Sequence, residues 1–185
     1  MATGGIALLL SEQPHTFNGI LTIGKIVYIF DLCIFTLLTT LITTRFIRQP
    51  WRFKASLTNA TESLFLPTFF LSIPTIIGGM HNYGSASTGS WLTVVERILF
   101  WLYIALTFLL AVGQYWYLFT GVQLTIQSMT PAWLLPIFPI MLSGTIASAI
   151  AGSQPDDQRM AILVAGVVFQ GLGWWVAVLV YAIYM

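Results

Sequence analysis

Apolar residues in this chain run in long blocks, and polar or charged residues gather in the short segments between them. The blocks lie at roughly 19–44, 63–80, 91–119, 132–152 and 160–184. Each reaches or nearly reaches the roughly 20 residues that an α-helix needs to cross a bilayer. Lipid offers backbone groups no partner, so helices are the form these runs predict. The opening MATGGIALL is apolar but too short to span. It has no basic n-region and no small-residue cleavage signal, so it reads as the end of a helix whose beginning is missing. The pattern predicts an all-α, polytopic membrane protein with about five full transmembrane helices plus the end of one.

Composition strengthens that reading. The chain is 57% hydrophobic and only 7% charged, with a mean hydropathy of +0.86. A soluble domain carries about 25% charged residues. The net charge of +1 supplies no basic face for nucleic acid, so the expected partner is the lipid bilayer. The single cysteine, Cys33, excludes an intrachain disulfide framework and reads as a small membrane-buried hydrophobe. No metal or other cofactor is expected.

Basic residues set the orientation. Arg45, Arg48, Arg52 and Lys54, out of 7 Lys and Arg in total, all follow the first full span, which places that loop in the cytoplasm. Alternation puts 81–90 outside, 120–131 inside, 153–159 outside and the chain end inside. The sequon Asn59-Ala60-Thr61 then lies in the cytoplasm and is expected to stay unmodified. Trp91, Trp101, Trp116, Trp133, Trp174 and Trp175 fall mostly near helix ends, where the indole favours the headgroup layer.

Two spans differ from the rest. Pro67 and Pro74 interrupt the second, and Pro131, Pro136 and Pro139 crowd the start of the fourth. A proline inside a helix removes one donor and frees the carbonyl four residues earlier. At membrane depth that group must be taken up by protein or by a watery cavity. Thr68, Ser72, Thr75, Ser143, Thr145 and Ser148 stand close by and can either satisfy such groups or line an aqueous path. Gly144, Ser148 and Gly152 form one small-residue series, and Ser143, Ala147 and Ala151 a second; both suit close helix packing. Gly166, Gly171, Gly173 and Gln170 suggest the same in the last span.

Few ionisable groups remain for function. Lys25 and Asp31 do not share the spacing of an i,i+4 pair. Lys25 can snorkel to the headgroups, whereas Asp31 is costly unless it faces the protein interior. Glu96 and Arg97 point in different directions, so each needs its own partner. Glu62 can face a helix N-terminus. His15 and His81 read as loop residues. No nucleophile–base set or phosphate loop is present in the sequence, so an enzyme has little support.

These stretches resemble the malic acid transport proteins of fungi, within the tellurite-resistance/dicarboxylate transporter family of voltage-dependent anion channel-like proteins. The resemblance lies in MATGG (1–5), TIGKIVYI (22–29), TESLFLPTFFLS (61–72), PAWLLPIFPIMLSGTIAS (131–148), QP (154–155) and FQGLGWWV (169–176). It implies ten transmembrane helices in five hairpins around a central pore, odd-numbered helices inside and even-numbered ones outside. Residues 1–185 then form a partial transporter transmembrane domain, from the end of helix 1 through helix 6. Both proline-rich spans fall on pore-lining helices. Thr3, Gly4, Thr68, Ser72, Pro74, Thr75, Pro136, Pro139, Ser143, Thr145 and Ser148 become candidate pore-lining residues.

The family's helices 7 to 10, its Gly-Pro-Pro segment and its pore-closing phenylalanine have no counterpart, so the sequence reads as a fragment that can be inactive alone. The resemblance implies transport of a C4-dicarboxylate such as malate by the parent protein, in the plasma membrane, with a trimer as one possible assembly. The alternatives are an exporter or channel for sulfite or another small anion, and a membrane subunit that does not transport.

Overall fold

The structure, a computed structural model, describes residues 2–15, 17–51, 60–85, 87–121 and 130–184. Its secondary structure is helical throughout these residues. Helix α1 (Ala2–Ser11) is followed by α2 (Ile20–Arg48), which starts where Gly19 takes a left-handed φ of 106°. That conformation suits glycine, which has no Cβ to clash. Next come three short helices, α3 (Ala60–Phe65), α4 (Pro67–Phe70) and α5 (Ile73–Gly84). The long α6 (Trp91–Gly121) precedes a 3-10 turn at Pro131–Leu134, α7 (Phe138–Met141), α8 (Ser143–Ile150) and a second 3-10 turn at Ala151–Ser153. The last element is α9 (Asp156–Tyr184).

Among the described residues, 4 helical stretches are long and apolar enough to cross a membrane: Ile20–Arg48, Ser63–Gly84, Trp91–Thr120 and Asp156–Ile183. This is a multi-pass membrane protein. The expected fourth span, 132–152, differs: it is a shorter apolar stretch, Phe138–Ser153, preceded by a separate 3-10 turn. Proline is the cause, because Pro131, Pro136 and Pro139 withhold three donors within nine positions of chain. Pro67, Pro74, Pro131 and Pro139 each stand in the first turn of the piece they begin, where a missing N–H costs least.

Two boundaries also move. The helix containing the second span runs on to Gly84, so His81 is helical and not a loop residue. The last helix begins at Asp156, which brings Asp157 and Arg159 into its first turns. Asp156 and Asp157 there complement the positive end of the helix dipole. The sequon asparagine, Arg52 and Lys54 lie outside the described residues, as does the side chain of Glu62.

The broken segments occupy the middle and the unbroken helices flank them. Helix α1 packs on α2 and α5, α5 packs on α8, and α8 packs on α6 and α9. The main core joins Ile77 of α5, Phe100, Tyr103 and Ile104 of α6, Ile146, Ala147 and Ile150 of α8, and Ile162 of α9. A smaller cluster unites Leu64, Leu118 and Trp133. Trp133 is thus a packing residue, only 8% exposed, while Trp91, Trp101, Trp116, Trp174 and Trp175 are exposed on the outside of the helices. The outer faces of α2, α6 and α9 show Leu, Ile, Val and Phe side chains, the surface expected against lipid tails.

Candidate functional site

The segments that carry the candidate residues are held by donors reaching in from their neighbours. Pro67 cannot bond the carbonyl of Ser63, and that oxygen accepts a hydrogen bond from Gln114 Nε2 of α6 at 2.6 Å. The backbone N–H of Leu66 also turns to it in a tight 3-10 bond of 3.1 Å. Around the second set of prolines, Tyr103 of α6 donates its hydroxyl proton to the carbonyl of Pro139 at 2.5 Å. Tyr115 does the same for Trp133 at 3.0 Å. From α2, Tyr28 donates to Ile76 at 3.0 Å, and Tyr83 of α5 donates to Ala7 of α1. Of these carbonyls, that of Ser63 is the one a proline deprives of its helical donor, while that of Pro139 also accepts from the N–H of Leu142 at 3.1 Å, so the side-chain donors chiefly tie the broken segments to their neighbours.

From the sequence the nearby hydroxyls can either satisfy freed backbone groups or line an aqueous path, and in the structure several of them bond backbone carbonyls. Thr68 bonds the carbonyl of Phe65 at 2.6 Å, Thr75 that of Ser72 at 2.8 Å, and Ser148 that of Thr145 at 2.9 Å. Each reaches back three residues along its own segment. Ser143, fully buried, reaches Gly166 of α9 at 3.4 Å. The long-range donors Gln114, Tyr28, Tyr83, Tyr103 and Tyr115 escaped the sequence reading. Their one legible signal was a buried-type polar group on an otherwise apolar helix, which needs a partner.

The candidate residues fall into two groups. Gly4, Pro74, Pro136, Pro139 and Ser143 are buried between elements; Thr3, Thr68, Ser72 and Thr75 are half-buried; Thr145 and Ser148 are exposed on α8. Gly4, Thr75 and Asp31 meet at one point. A Cβ on Gly4 would lie 2.6 Å from Thr75 Oγ1 and 2.7 Å from Asp31 Oδ2. Asp31, 3% exposed, therefore faces the interior between α1 and α5, as its cost in lipid demanded. Lys25 is exposed.

Small residues do bring α8 and α9 together. Of the two series, Ser143, Ala147 and Ala151 are buried, whereas Ser148 and Gly152 are exposed. Gly166 of α9 meets Ala147, and the side chain of Gln170 lies over Gly144.

At the far end of α5 the partner of Glu96 is His81. Nδ1 of His81 lies 3.1 and 3.2 Å from the two carboxylate oxygens. Beside the pair is a cavity of about 180 Å³ bounded by Ser85, Thr88, Ser90, Thr93 and Ser153 among others. Among the described residues there is no cluster of three or more metal-ligating side chains.

Comparison with known proteins adds a family. The voltage-dependent anion channel family, SLAC1, matches residues 1–185. A malic acid transport protein of Schizosaccharomyces pombe is 41% identical over 183 residues, which is 99% of this chain and 42% of that protein. A second protein of the same yeast, provisionally given the same name, is 42% identical over 185 residues, 100% of this chain and 43% of its own length. A sulfite efflux pump, SSU1, of Arthroderma benhamiae is 30% identical over 164 residues, 89% of this chain and 44% of the pump. The chain thus spans less than half the length of the curated relatives it matches. No solved structure matches it significantly.

Proposed function

The chain belongs to the voltage-dependent anion channel family, and from that premise we propose that the complete protein carries a small organic anion of the malate type across a membrane. One observation carries the choice of substrate. Identity to the two malic acid transport proteins is 42% and 41%, against 30% for the sulfite pump. The same membership accords with transport and not with an enzyme.

In this reading residues 1–185 supply the end of helix 1 through helix 6 of a ten-helix pore built from hairpins. The packing of α1, α5 and α8 in a row, each flanked by a longer helix, supports such an inner and outer ring. Thr3, Gly4, Thr68, Ser72, Pro74, Thr75, Pro136, Pro139, Ser143, Thr145 and Ser148 belong to the inner elements. Thr145 and Ser148, exposed on α8, are the hydroxyls best placed to meet a passing solute. Ser143 and the prolines shape the wall from behind.

An anion crossing here exchanges water for weak polar contacts. The inner segments 2–11, 63–84 and 131–153 hold no Lys or Arg, so these segments offer it no fixed cation, and weak contacts permit release as well as entry. Asp31, packed against Gly4 and Thr75, has a structural role. A plasma-membrane location and a trimeric assembly complete the proposal.

The sulfite pump's 30% identity supports a second reading, export of sulfite. Competition separates them. Efflux of labelled malate from vesicles holding the complete protein should fall with excess unlabelled malate and persist in sulfite. The reverse pattern favours the second reading.

A further inference from the structure

The two proline breaks repeat one local pattern. Leu66-Pro67-Thr68-Phe69 and Leu135-Pro136-Ile137-Phe138 share the order Leu-Pro-x-Phe. In both, the residue before the proline turns its N–H back to the carbonyl three residues earlier. Leu66 bonds Ser63 at 3.1 Å, and Leu135 bonds Ala132 at 3.0 Å. Pro67 and Pro136 are both fully buried. The next residue after each carbonyl, Leu64 in one break and Trp133 in the other, packs in the cluster that holds Leu118 of α6. Two equivalent breaks thus meet the same end of one unbroken helix.

We infer that this end of α6 couples the two breaks, so that Gln114 and Tyr115 position both broken segments as one unit. Gln114 and Tyr115 are neighbours in sequence, so their side chains leave α6 about 100° apart and reach different partners. Gln114 donates to the Ser63 carbonyl of the first segment at 2.6 Å, and Tyr115 to the Trp133 carbonyl of the second at 3.0 Å. Leu118, one turn further on, is buried in contact with both segments. Tyr115 also stacks on Phe119, whose ring meets that of Trp133 edge-on. The segments touch each other as well, α4 against α7 and α3 against the turn Pro131–Leu134.

Coupling follows from the way these contacts share one helix. A tilt or rotation of α6 that lengthens one bond displaces the adjacent residue that makes the other. Gln114 shows that the bond matters more than the fill. Its Oε1 is buried without a hydrogen-bond partner among the described residues, and such an oxygen is costly. A leucine would occupy comparable space without that cost, so what Gln114 alone contributes is the donor to Ser63. Tyr103, some three turns earlier on α6, ties only the second segment, through the Pro139 carbonyl. The positioning role rests on the anion-transport reading above: two wall segments held by one helix keep a fixed spacing along the path they line.

Amide hydrogen exchange of the complete protein in phospholipid nanodiscs tests the coupling. Gln114→Leu should speed exchange about two- to fivefold at 64–69 and also at 133–137, the change expected from one lost hydrogen bond. Tyr115→Phe should do the same at both places. Tyr103→Phe should leave 64–69 at the wild-type rate. Loosening confined to the segment that each lost bond touched, or spread evenly over the whole protein, overturns the coupling. Faster exchange at 64–69 in Tyr103→Phe assigns it to direct packing of the segments and overturns the part given to this end of α6. Malate efflux from liposomes tests the positioning role. The malate concentration giving half-maximal efflux should shift about two- to fivefold, in the same direction, in Gln114→Leu and Tyr115→Phe. The double variant should shift no further than either single one. Independent shifts that multiply, or no shift, overturn the positioning role. Absence of malate efflux from the wild-type protein counts against the transport reading instead, and exchange then decides the coupling by itself.

Discussion

The side chain of Tyr83 fills the space that a Cβ on Gly24 would need. Its ring carbon Cζ lies 2.8 Å from that position, and its hydroxyl passes over the glycine to the carbonyl of Ala7. Tyr28 mirrors it from the facing helix, lying over Gly79 and bonding Ile76. The two rings are 5.7 Å apart. Three elements, α1, α2 and α5, are thus clasped by two tyrosines, each seated on a glycine of the opposite helix. Close backbone approach of this kind drives association where the solvent is itself apolar.

Gly24→Ala should therefore loosen α2 from α5. Overpacking of a tight contact costs about 1–3 kcal/mol. The atom most in the way is the Tyr83 hydroxyl, so Tyr83→Phe in the same protein should restore part of the loss. Thermal unfolding in detergent of both single variants and the double variant measures this coupling. Strict additivity would show that the clasp is absent.

Substitutions on α6 should separate a lost bond from a lost shape. Gln114 donates to Ser63, yet its Oε1 is buried without a hydrogen-bond partner among the described residues. Gln114→Leu removes the bond and the unsatisfied oxygen together, so its cost should stay below about 1 kcal/mol. Gln114→Ala adds a cavity and should cost about 2 kcal/mol or more. Equal thermal shifts for the two would contradict this division.

The join between α8 and α9 makes a third case. A Cβ on Gly166 would lie 3.4 Å from Gly144 Cα and 3.5 Å from the Ser143 carbonyl oxygen, and would clash with Ala147. Gly166→Leu should force the helices apart and lower stability by several kcal/mol. Gly171→Ala, with nothing within 4 Å of its Cβ position, should be tolerated. Expression and unfolding temperature, compared side by side, check the pair.

Cysteine scanning tests the path itself. In the complete protein with Cys33 replaced by Ala, Thr145→Cys and Ser148→Cys should react with a charged, membrane-impermeant thiol reagent, and malate should slow the reaction. Ser143→Cys should resist, because that position is fully buried. Labelling of Ser143→Cys alone would place the path on the other side of α8.

Much of this fold is legible in the amino-acid order because membrane helices obey local rules. The apolar runs, the proline breaks and the interior position of Asp31 all follow from the cost of a bare polar group in lipid. What escaped is long-range pairing. Glu96 finds His81 fifteen residues away, and Gln114 finds Ser63 at a separation of 51; no local spacing announces either. Residues 143–152 show a different limit. Two small-residue series stood side by side, and only the packing of α9 selected Ser143, Ala147 and Ala151 as the buried face. The fourth span reads in the sequence as one apolar run with prolines at its start, and the structure divides it into a 3-10 turn at Pro131–Leu134 and the stretch Phe138–Ser153.

Malate flux tests the central claim most directly. The complete protein, purified and placed in liposomes with a malate gradient, should release malate faster than protein-free liposomes, with unlabelled malate competing more strongly than sulfite. Release no faster than from protein-free liposomes, or competition by sulfite alone, would contradict it.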